Sequence, residues 1–461
     1  MRKPLGTEIG PVKDSFRQLG TPRTLLLGLQ HMFAMFGATI LVPLLTGLSV
    51  QVTLIGVGIG TLVFHFFAKG RVPVFLGSSF AFMAGVQLIA HPERGIFTSA
   101  GMTQADALAY ATGGILVAGT LYLVLSLIVK LVGVKKVMRY LPPVVTGPIV
   151  ILIGVMLAPF AISQSNNNLL LAFISLAIVI IAAVWGKGMF KVVPIVLGLL
   201  GGYAAALIFH FAGMTNPNGT AILNFAGAAD ASVVGLPPFF LPRFNIVAIL
   251  VMLPFALATI AEHIADMVIL SDVTGEKFTE KPGLSRTLVG DGLATCFSGL
   301  IGAPATTTYS ENVGVVVLTK IHDAKVVMLA ALYATILGFL PVFAALVYTI
   351  PDAIVGGVSF VLYGMIAAVG IRSLVDNRVD IGETRNLMIV AIILVTGLGL
   401  RFGPAITIAI AGTNVPIDRL GVAIAAILGI FLNAILPGEK FEFGKKEIKP
   451  DRVEVTPMSS N

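Results

Sequence analysis

The chain has 461 residues, of which 56% are hydrophobic and 11% charged, and its mean hydropathy is +0.96. Those proportions exclude an ordinary soluble domain and mark a polytopic membrane protein. The net charge of +7 does not indicate nucleic-acid binding, because the basic residues are dispersed over short loops without aromatic interleaving, and the single cysteine, Cys296, excludes an internal disulfide or a cysteine-based metal cluster.

A bilayer crossing takes about 20 apolar residues in a helix, and runs of that kind recur along the chain. The sequence predicts fourteen spans, at 24–48, 52–68, 73–90, 107–129, 138–160, 169–186, 192–213, 246–268, 285–302, 304–320, 325–346, 352–371, 385–401 and 420–436. The polar, charged residues 1–23 do not form a cleavable signal, so the first span is expected to be an uncleaved targeting element. A longer loop fills 214–245, and a polar tail follows 436. The third and tenth spans are the weakest helical candidates. VPVFLGSSFAF (72–82) and APATTTYSENV (303–313) each combine proline with small or hydroxyl residues. Such segments are tolerated at membrane depth only where protein or a water-filled cavity satisfies the backbone, so both spans are expected to be interrupted.

Basic residues fall in alternate loops. Arg2, Lys3, Lys13, Arg17 and Arg23 precede span 1; Lys69 and Arg71 follow span 2; Lys130, Lys135, Lys136 and Arg139 follow span 4. The series continues through Lys187 and Lys191, Lys277, Lys281 and Arg286, Lys320 and Lys325, Arg372, Arg378 and Arg385, and ends in Lys440 to Arg452. The opposite loops are charge-poor, with Arg94, Arg243, Arg401 and Arg419 as exceptions. The positive-inside rule then places both termini in the cytoplasm, as an even span count requires.

Gln30-His31 in the first span and Glu262-His263 in the eighth are polar pairs inside apolar runs. From His31 to Pro73 is 42 positions and from His263 to Pro304 is 41, while Phe80 and Glu311 each follow those prolines by 7. These offsets predict two repeats, spans 1–7 and 8–14, with Phe80 opposite Glu311. Seven is odd, so the second half enters the membrane inverted. In inverted repeats of this kind the substrate lies near the midplane, between broken helices whose N-termini offer oriented N–H groups.

An ionisable group at that depth is expensive and by default marks a substrate or ion pathway. Glu262 has no Lys or Arg between Arg243 and Lys277 to neutralise it, and Asp266 lies one helical turn later on the same face. Two acids this close in a dry site cannot both ionise freely, which makes a proton-binding device. Glu311 would bring a third carboxyl toward the same cavity. His31 and His263 either orient these acids or brace the repeat, and His65 reads as structural. Asp291 and Asn312 read as bridges between neighbouring broken segments. Phe80 and Tyr309, beside Ser78, Ser79 and Thr308, read either as packing or as a stacking surface for a flat ring; Tyr363 is a gate-side contact candidate. Backbone N–H groups freed near Phe80 and Ser310 donate to carbonyl oxygens, so a ligand with alternating N–H and C=O edges matches both kinds of group.

The run Glu311-Asn-Val-Gly-Val-Val-Val-Leu-Thr-Lys320 resembles the signature of the nucleobase-ascorbate transporters, the nucleobase:cation symporter-2 family. That signature reads Gln, Glu or Pro, then Asn-x-Gly-x-x-x-x-Thr, then Arg, Lys or Gly. Gln30-His31, GSSFAF at 77–82, AEH at 261–263 and GDG at 290–292 are similar to further landmarks, so the resemblance covers the whole membrane region. It implies an all-α polytopic membrane protein of fourteen segments in a seven-plus-seven inverted repeat, with short strands in segments 3 and 10. The core domain would comprise 24–131 and 246–346, and the gate domain 132–213 and 347–436, with cytoplasmic ends at 1–23 and 437–461. By the same resemblance Glu262 and Glu311 would hydrogen-bond a base. Backbone groups at Phe80 and Ser310, beside Ser79 and Tyr309, would meet its other polar edge. His31, His263, Asp266, Asp291, Asn312 and Gln30 would support the site and proton coupling, and a homodimer is suggested.

Glu at the first signature position, with AEH upstream, resembles the uracil-transporting branch; purine carriers more often have Gln there. A carboxylate suits the imide N–H of a pyrimidinedione. Asp266 stands where some uracil-type relatives carry a second His. The expected function is therefore proton-coupled uptake of uracil through the inner or plasma membrane, with no metal and no cofactor beyond the proton. The alternatives are xanthine, urate or another nucleobase as cargo, and an anion transporter on the related fold. An intramembrane enzyme is disfavoured because no Ser-His-Asp order or HExxH is present.

Overall fold

The computed structural model describes residues 12–93, 95–403, 406–410, 413–416 and 420–438; the side chains of residues 310, 311 and 407–416 lie outside that description. Arg2, Lys3, Arg94, Arg419 and the basic stretch Lys440 to Arg452 are likewise outside the described residues.

A short helix α1 (Ser15–Gln18) leads into α2 (Thr21–Thr46), which places Pro22 in its first turn and stops at Gly47, where φ is 81°. Proline fits there because a first-turn N–H has no helical partner, and glycine tolerates the left-handed stop. Helix α3 (Val50–Phe67) is capped by Ser49, whose Oγ accepts from the Val52 N–H. The next segment is broken into β1 (Leu76–Ser78) and α4 (Phe80–Ala90). There follow α5 (Gln104–Val132), the short α6 (Val134–Met138), α7 (Pro143–Ser165), α8 (Leu169–Trp185), a 3₁₀ turn over Gly188–Lys191 and α9 (Pro194–Phe211).

After a loop holding α10 (Ala226–Ala229), the second half opens with α11 (Ile246–Thr274), capped by Asn245, and α12 (Leu284–Ile301). A second broken segment consists of β2 (Thr306–Thr308) and α13 (Ser310–Thr319). Helices α14 (Ala324–Gly338), α15 (Pro341–Val347), α16 (Asp352–Asp376) and α17 (Thr384–Phe402) follow. A hairpin of β3 (Thr407–Ile410) and β4 (Thr413–Pro416) then precedes α18 (Gly421–Ile435).

Among the described residues, eight helices are long and apolar enough to cross a membrane alone, or nine if α14 and α15 form one span. Large apolar side chains such as Phe66, Phe173 and Phe211 are exposed on the outside while Thr, His and Asp side chains are buried within, the distribution of a chain solvated by lipid. Two features depart from the sequence expectation. The unbroken span at 325–346 is bent by 89° between α14 and α15. Pro341 supplies no N–H to continue α14, and Leu340 before it is extended. The β3–β4 hairpin has no counterpart among the predicted elements.

Helix packing is reciprocal between the halves. Helix α5 packs on α12 and α3 on α14, while α3 and α12 lie against each other. Beyond them α7 packs along α16; α8 pairs with α9 as α17 pairs with α18, and α8 touches α16 as α17 touches α7. Glycines permit the close approaches: a Cβ at Gly154 would meet the Tyr363 carbonyl, and one at Gly370 would meet the Gly147 carbonyl.

The two strands pair antiparallel, Leu76 with Thr308, Gly77 with Thr307 and Ser78 with Thr306. The Ser79 N–H donates to the Ala305 carbonyl at 2.8 Å and the Tyr309 N–H to that of Phe75 at 3.0 Å, extending the ladder. Strand edges at this depth must find partners within protein. Thr61 of α3 supplies them for β1, accepting from the Leu76 N–H at 3.0 Å and donating to its carbonyl at 3.2 Å. Thr295 of α12 donates to the Thr306 carbonyl at 3.0 Å.

Candidate functional site

Where the strands end, α4 and α13 begin, at Phe80 and Ser310. The first-turn N–H groups of a helix have no partners within it and carry a partial positive charge. Two such ends on one small sheet make a polar locus inside an apolar body. Helix α11, which carries Glu262, packs against α4, β2 and α13 at this locus. The strands begin at 76 and 306 and the helices at 80 and 310, so Phe80 corresponds to Ser310 and Ala81 to Glu311. The predicted pairing of Phe80 with Glu311 is thus corrected by one residue. The ladder bonds agree with this alignment, since under it the Ser79 N–H to Ala305 bond maps onto the Tyr309 N–H to Phe75 bond, a correspondence the loose proline offsets did not contain.

Glu262 is half-buried on α11. One turn earlier, Thr259 shares a hydrogen bond with the Tyr122 hydroxyl of α5, and Tyr122 is fully buried. Asp266 is buried, and its Oδ2 accepts from the Thr308 hydroxyl at 2.6 Å, so this acid ties α11 to β2. His263, also buried, puts Nδ1 3.1 Å from Oδ2 of buried Asp291 on α12. The contact is close without the alignment of a full hydrogen bond. Asp291 therefore faces α11 from α12 instead of spanning the two broken segments. The His263 ring also sits edge-on to Phe64, with centroids 6.1 Å apart.

Asn312 is buried in the first turns of α13 and reaches α2: its Nδ2 lies 3.3 Å from the His31 carbonyl and 3.3 Å from His31 Nδ1. Gln30 points elsewhere, with Nε2 3.2 Å from the Met189 sulfur in the 3₁₀ turn. Ser79 caps α4, its Oγ accepting from the Phe82 N–H at 3.4 Å. Tyr309 is buried, and its hydroxyl donates to the Ser78 carbonyl at 2.8 Å. Its ring lies nearly parallel to that of half-buried Phe80, at 10° with centroids 6.3 Å apart. The carboxyl of Glu311 and the hydroxyl of Ser310 belong to the undescribed side chains; their backbone opens α13. The arrangement offers half-helix N–H donors, a carboxylate on the adjoining helix and two near-parallel aromatic rings.

Sequence reasoning missed Tyr122, Thr61 and Thr295, and it placed Thr308 beside the aromatic pair without its bond to Asp266. Tyr122 had a visible signal, a hydroxyl in the middle of an apolar run. The threonines had none, because their role comes from strands that pattern alone does not locate. Arg385, counted as a loop cation, is buried and donates to the Asn433 carbonyl at 2.9 Å and Oδ1 at 2.8 Å. It satisfies the C-terminal end of α18, where helix carbonyls lack partners.

A profile described as a permease family matches residues 22–406. The chain is 39% identical over 435 residues to a uracil permease of Bacillus subtilis, covering 90% of this chain and 92% of that one. It is 38% identical to a uracil permease of Bacillus caldolyticus, covering 93% and 95%, and 35% identical to one of Escherichia coli, covering 90% and 91%. Among solved structures, the transmembrane domain of a cyanobacterial bicarbonate transporter, BicA, superimposes with a TM-score of 0.60 at 16% identity, covering 92% of this chain and 99% of that one. The murine Solute Carrier 26 family member A9 anion transporter, in the inward-facing state, gives 0.61 at 10% identity, covering 89% and 67%. At such identities these two likenesses speak to the fold alone. On its matched length and its relatives, this multi-pass membrane protein belongs to the permease family that its signature resembles, the nucleobase-ascorbate transporters.

Proposed function

We propose that this chain carries uracil into the cell together with a proton, by alternating access in a cell membrane. The observation that carries this reading is the pair of half-helices opening at Phe80 and Ser310 beside the half-buried Glu262, in a chain whose relatives are uracil permeases. Glu262 and Glu311 accept from the imide and ring N–H groups of the base, the backbone at Phe80 and Ser310 donates to its carbonyl oxygens, and the rings of Phe80 and Tyr309 flank its plane. Ser79 holds the start of α4. His31 and Asn312 fix α13 to α2, His263 and Asp291 fix α11 to α12, and Asp266 fixes α11 to β2. Glu262 and Asp266 are the candidates for the coupling proton. No other cofactor takes part.

The reciprocal packing supports fourteen segments in two inverted sevens. The segments 24–131 and 246–346 form a core that carries the site, and 132–213 and 347–436 form a gate. Both termini lie in the cytoplasm, and two copies associate through their gates.

Uptake of radiolabelled uracil by cells expressing the Glu311→Gln variant tests the site. A loss of affinity of at least about tenfold is expected when a charged acceptor of the base is replaced by a neutral amide, and unaltered uptake and affinity overturn the assignment. Competition by unlabelled xanthine and urate separates uracil from purine cargo. Uptake that ignores a collapsed proton gradient defeats the coupling. An anion carrier on the same fold is disfavoured because the proposed site presents carboxylates to its ligand.

A further inference from the structure

The segment at 12–15 meets the turns that follow the two helices carrying Glu262 and Glu311. Val12 pairs with Ile321 in parallel fashion: its N–H donates to the Lys320 carbonyl at 3.0 Å, and its carbonyl accepts from the His322 N–H at 2.9 Å. Ser15, with no exposed surface, donates both its N–H, at 2.8 Å, and its hydroxyl, at 2.6 Å, to Oδ2 of buried Asp323. The other oxygen of Asp323 caps α14, accepting from the Lys325 N–H at 3.0 Å. Lys13 bonds Glu276 at 2.5 Å, just past the Gly275 that ends α11. Lys325 lies 3.3 Å from Asp14. Val12, Ile321 and Val326 form a small apolar cluster of their own, against which Leu19 and Leu27 pack.

Helix α13 is ten residues long and ends at Lys320, whose φ of 56° turns the chain sharply. A helix this short depends on tertiary contacts, here its packing on α2 and α11 and what grips its two ends. Its first turns are held to α2 by Asn312 and His31. Its far end is held by residues 12–15, which run on through α1 into that same α2. The grip is unevenly distributed. Lys13 and Glu276 are both more than half exposed, and such pairs contribute little. The two bonds from buried Ser15 to a carboxylate are of the stronger kind.

We infer that residues 12–15 are a latch that sets the position of α13, with Ser15 and Asp323 as positioning residues for the carried base. The inference rests on the site proposed above. Undocking of the segment frees the turn at 320–323 and lets the start of α13, with its N–H groups and Glu311, drift from the base. Lys13 donates to Glu276 and holds its carboxyl below the usual range, and burial followed by the Lys13 charge pushes the His322 imidazole down. The Glu276 contact is lost only as pH falls through that lowered value, so it stays formed at neutral pH.

The test uses full-length protein. Ser15→Ala is expected to raise KM for uracil about threefold to tenfold, from the loss of a hydrogen bond to a charged group, with kcat little changed. Asp323→Asn, which weakens both bonds from Ser15, raises KM at least as much, and the double variant raises it no further than Asp323→Asn alone, because the hydroxyl bond lost in Ser15→Ala is one of those two. In substrate-free protein, Ser15→Ala speeds hydrogen exchange at residues 319–323. Normal membrane abundance with unchanged KM and unchanged exchange in Ser15→Ala overturns the latch, as do additive effects in the double variant. Wild-type protein that takes up no uracil defeats the proposed cargo instead, and the exchange measurement then decides the latch alone.

Discussion

Asp291 is an acid held in the interior of a membrane protein. It is fully buried on α12 and faces His263 of α11 at 3.1 Å. A buried carboxylate so placed costs free energy unless a partner compensates it. Its partner His263 adjoins Glu262 in sequence, so the contact bears on the helix turn from which Glu262 projects. Asp291→Asn keeps the shape and removes the charge, so the His263 contact weakens by about 1–3 kcal/mol. The expected result is a lower unfolding midpoint for the detergent-solubilised protein and less protein in the membrane, with KM for uracil unchanged. A KM rise at normal stability would instead place Asp291 against the ligand. The residue types at the candidate site were legible from the sequence because acids, amides and histidines stand out in apolar runs. Their partners were not, since Thr308 and Thr259 resemble many other hydroxyl residues until the fold brings them to Asp266 and to Tyr122.

At the scale of elements, the two broken segments carry the most information. Proline followed by small and hydroxyl residues made the interruptions legible at 73–90 and 304–320, and strands occupy both at Leu76–Ser78 and Thr306–Thr308. The register was beyond reach, because period-two patterning needs a polar face and an apolar face, and both strands are buried throughout. Gly77 sits in the middle of β1, and a Cβ there would enter the Tyr309 ring. That is a packing requirement and not a conformational one, since no positive φ is involved. Gly77→Ala must displace the ring and with it the hydroxyl bond to the Ser78 carbonyl. Overpacking of this kind costs about 1–3 kcal/mol. Roughly tenfold weaker uracil binding is expected by equilibrium titration of purified protein, and full-strength binding would show that the Tyr309 ring is not part of the base's surroundings.

For the whole molecule, helices with a strong apolar run were placed closely by composition, as at Gln104–Val132 and Thr384–Phe402. The bend at Pro341 and the hairpin at Thr407–Pro416 were not, because a proline that ends one helix and starts another reads the same as one inside a long span. On the proposed division, α3, α5, α12 and α14, which pack on one another, belong to the core, and α7 and α16, which pack together, belong to the gate. Large motions in transporters are rigid-body displacements of one packed unit against another. Gln30 on α2 and Met189 in the 3₁₀ turn touch across that boundary, Nε2 to sulfur at 3.2 Å. If α2 travels with the base past this turn, tying the two positions together arrests the cycle. In a Cys296→Ser background, Gln30→Cys with Met189→Cys treated with a short bifunctional thiol reagent should lose uptake and regain it on reduction, while uracil binding from one side persists. Uptake that continues in fully cross-linked protein would mean that α2 and the turn move as one body, and that access alternates by local gating at the half-helices instead.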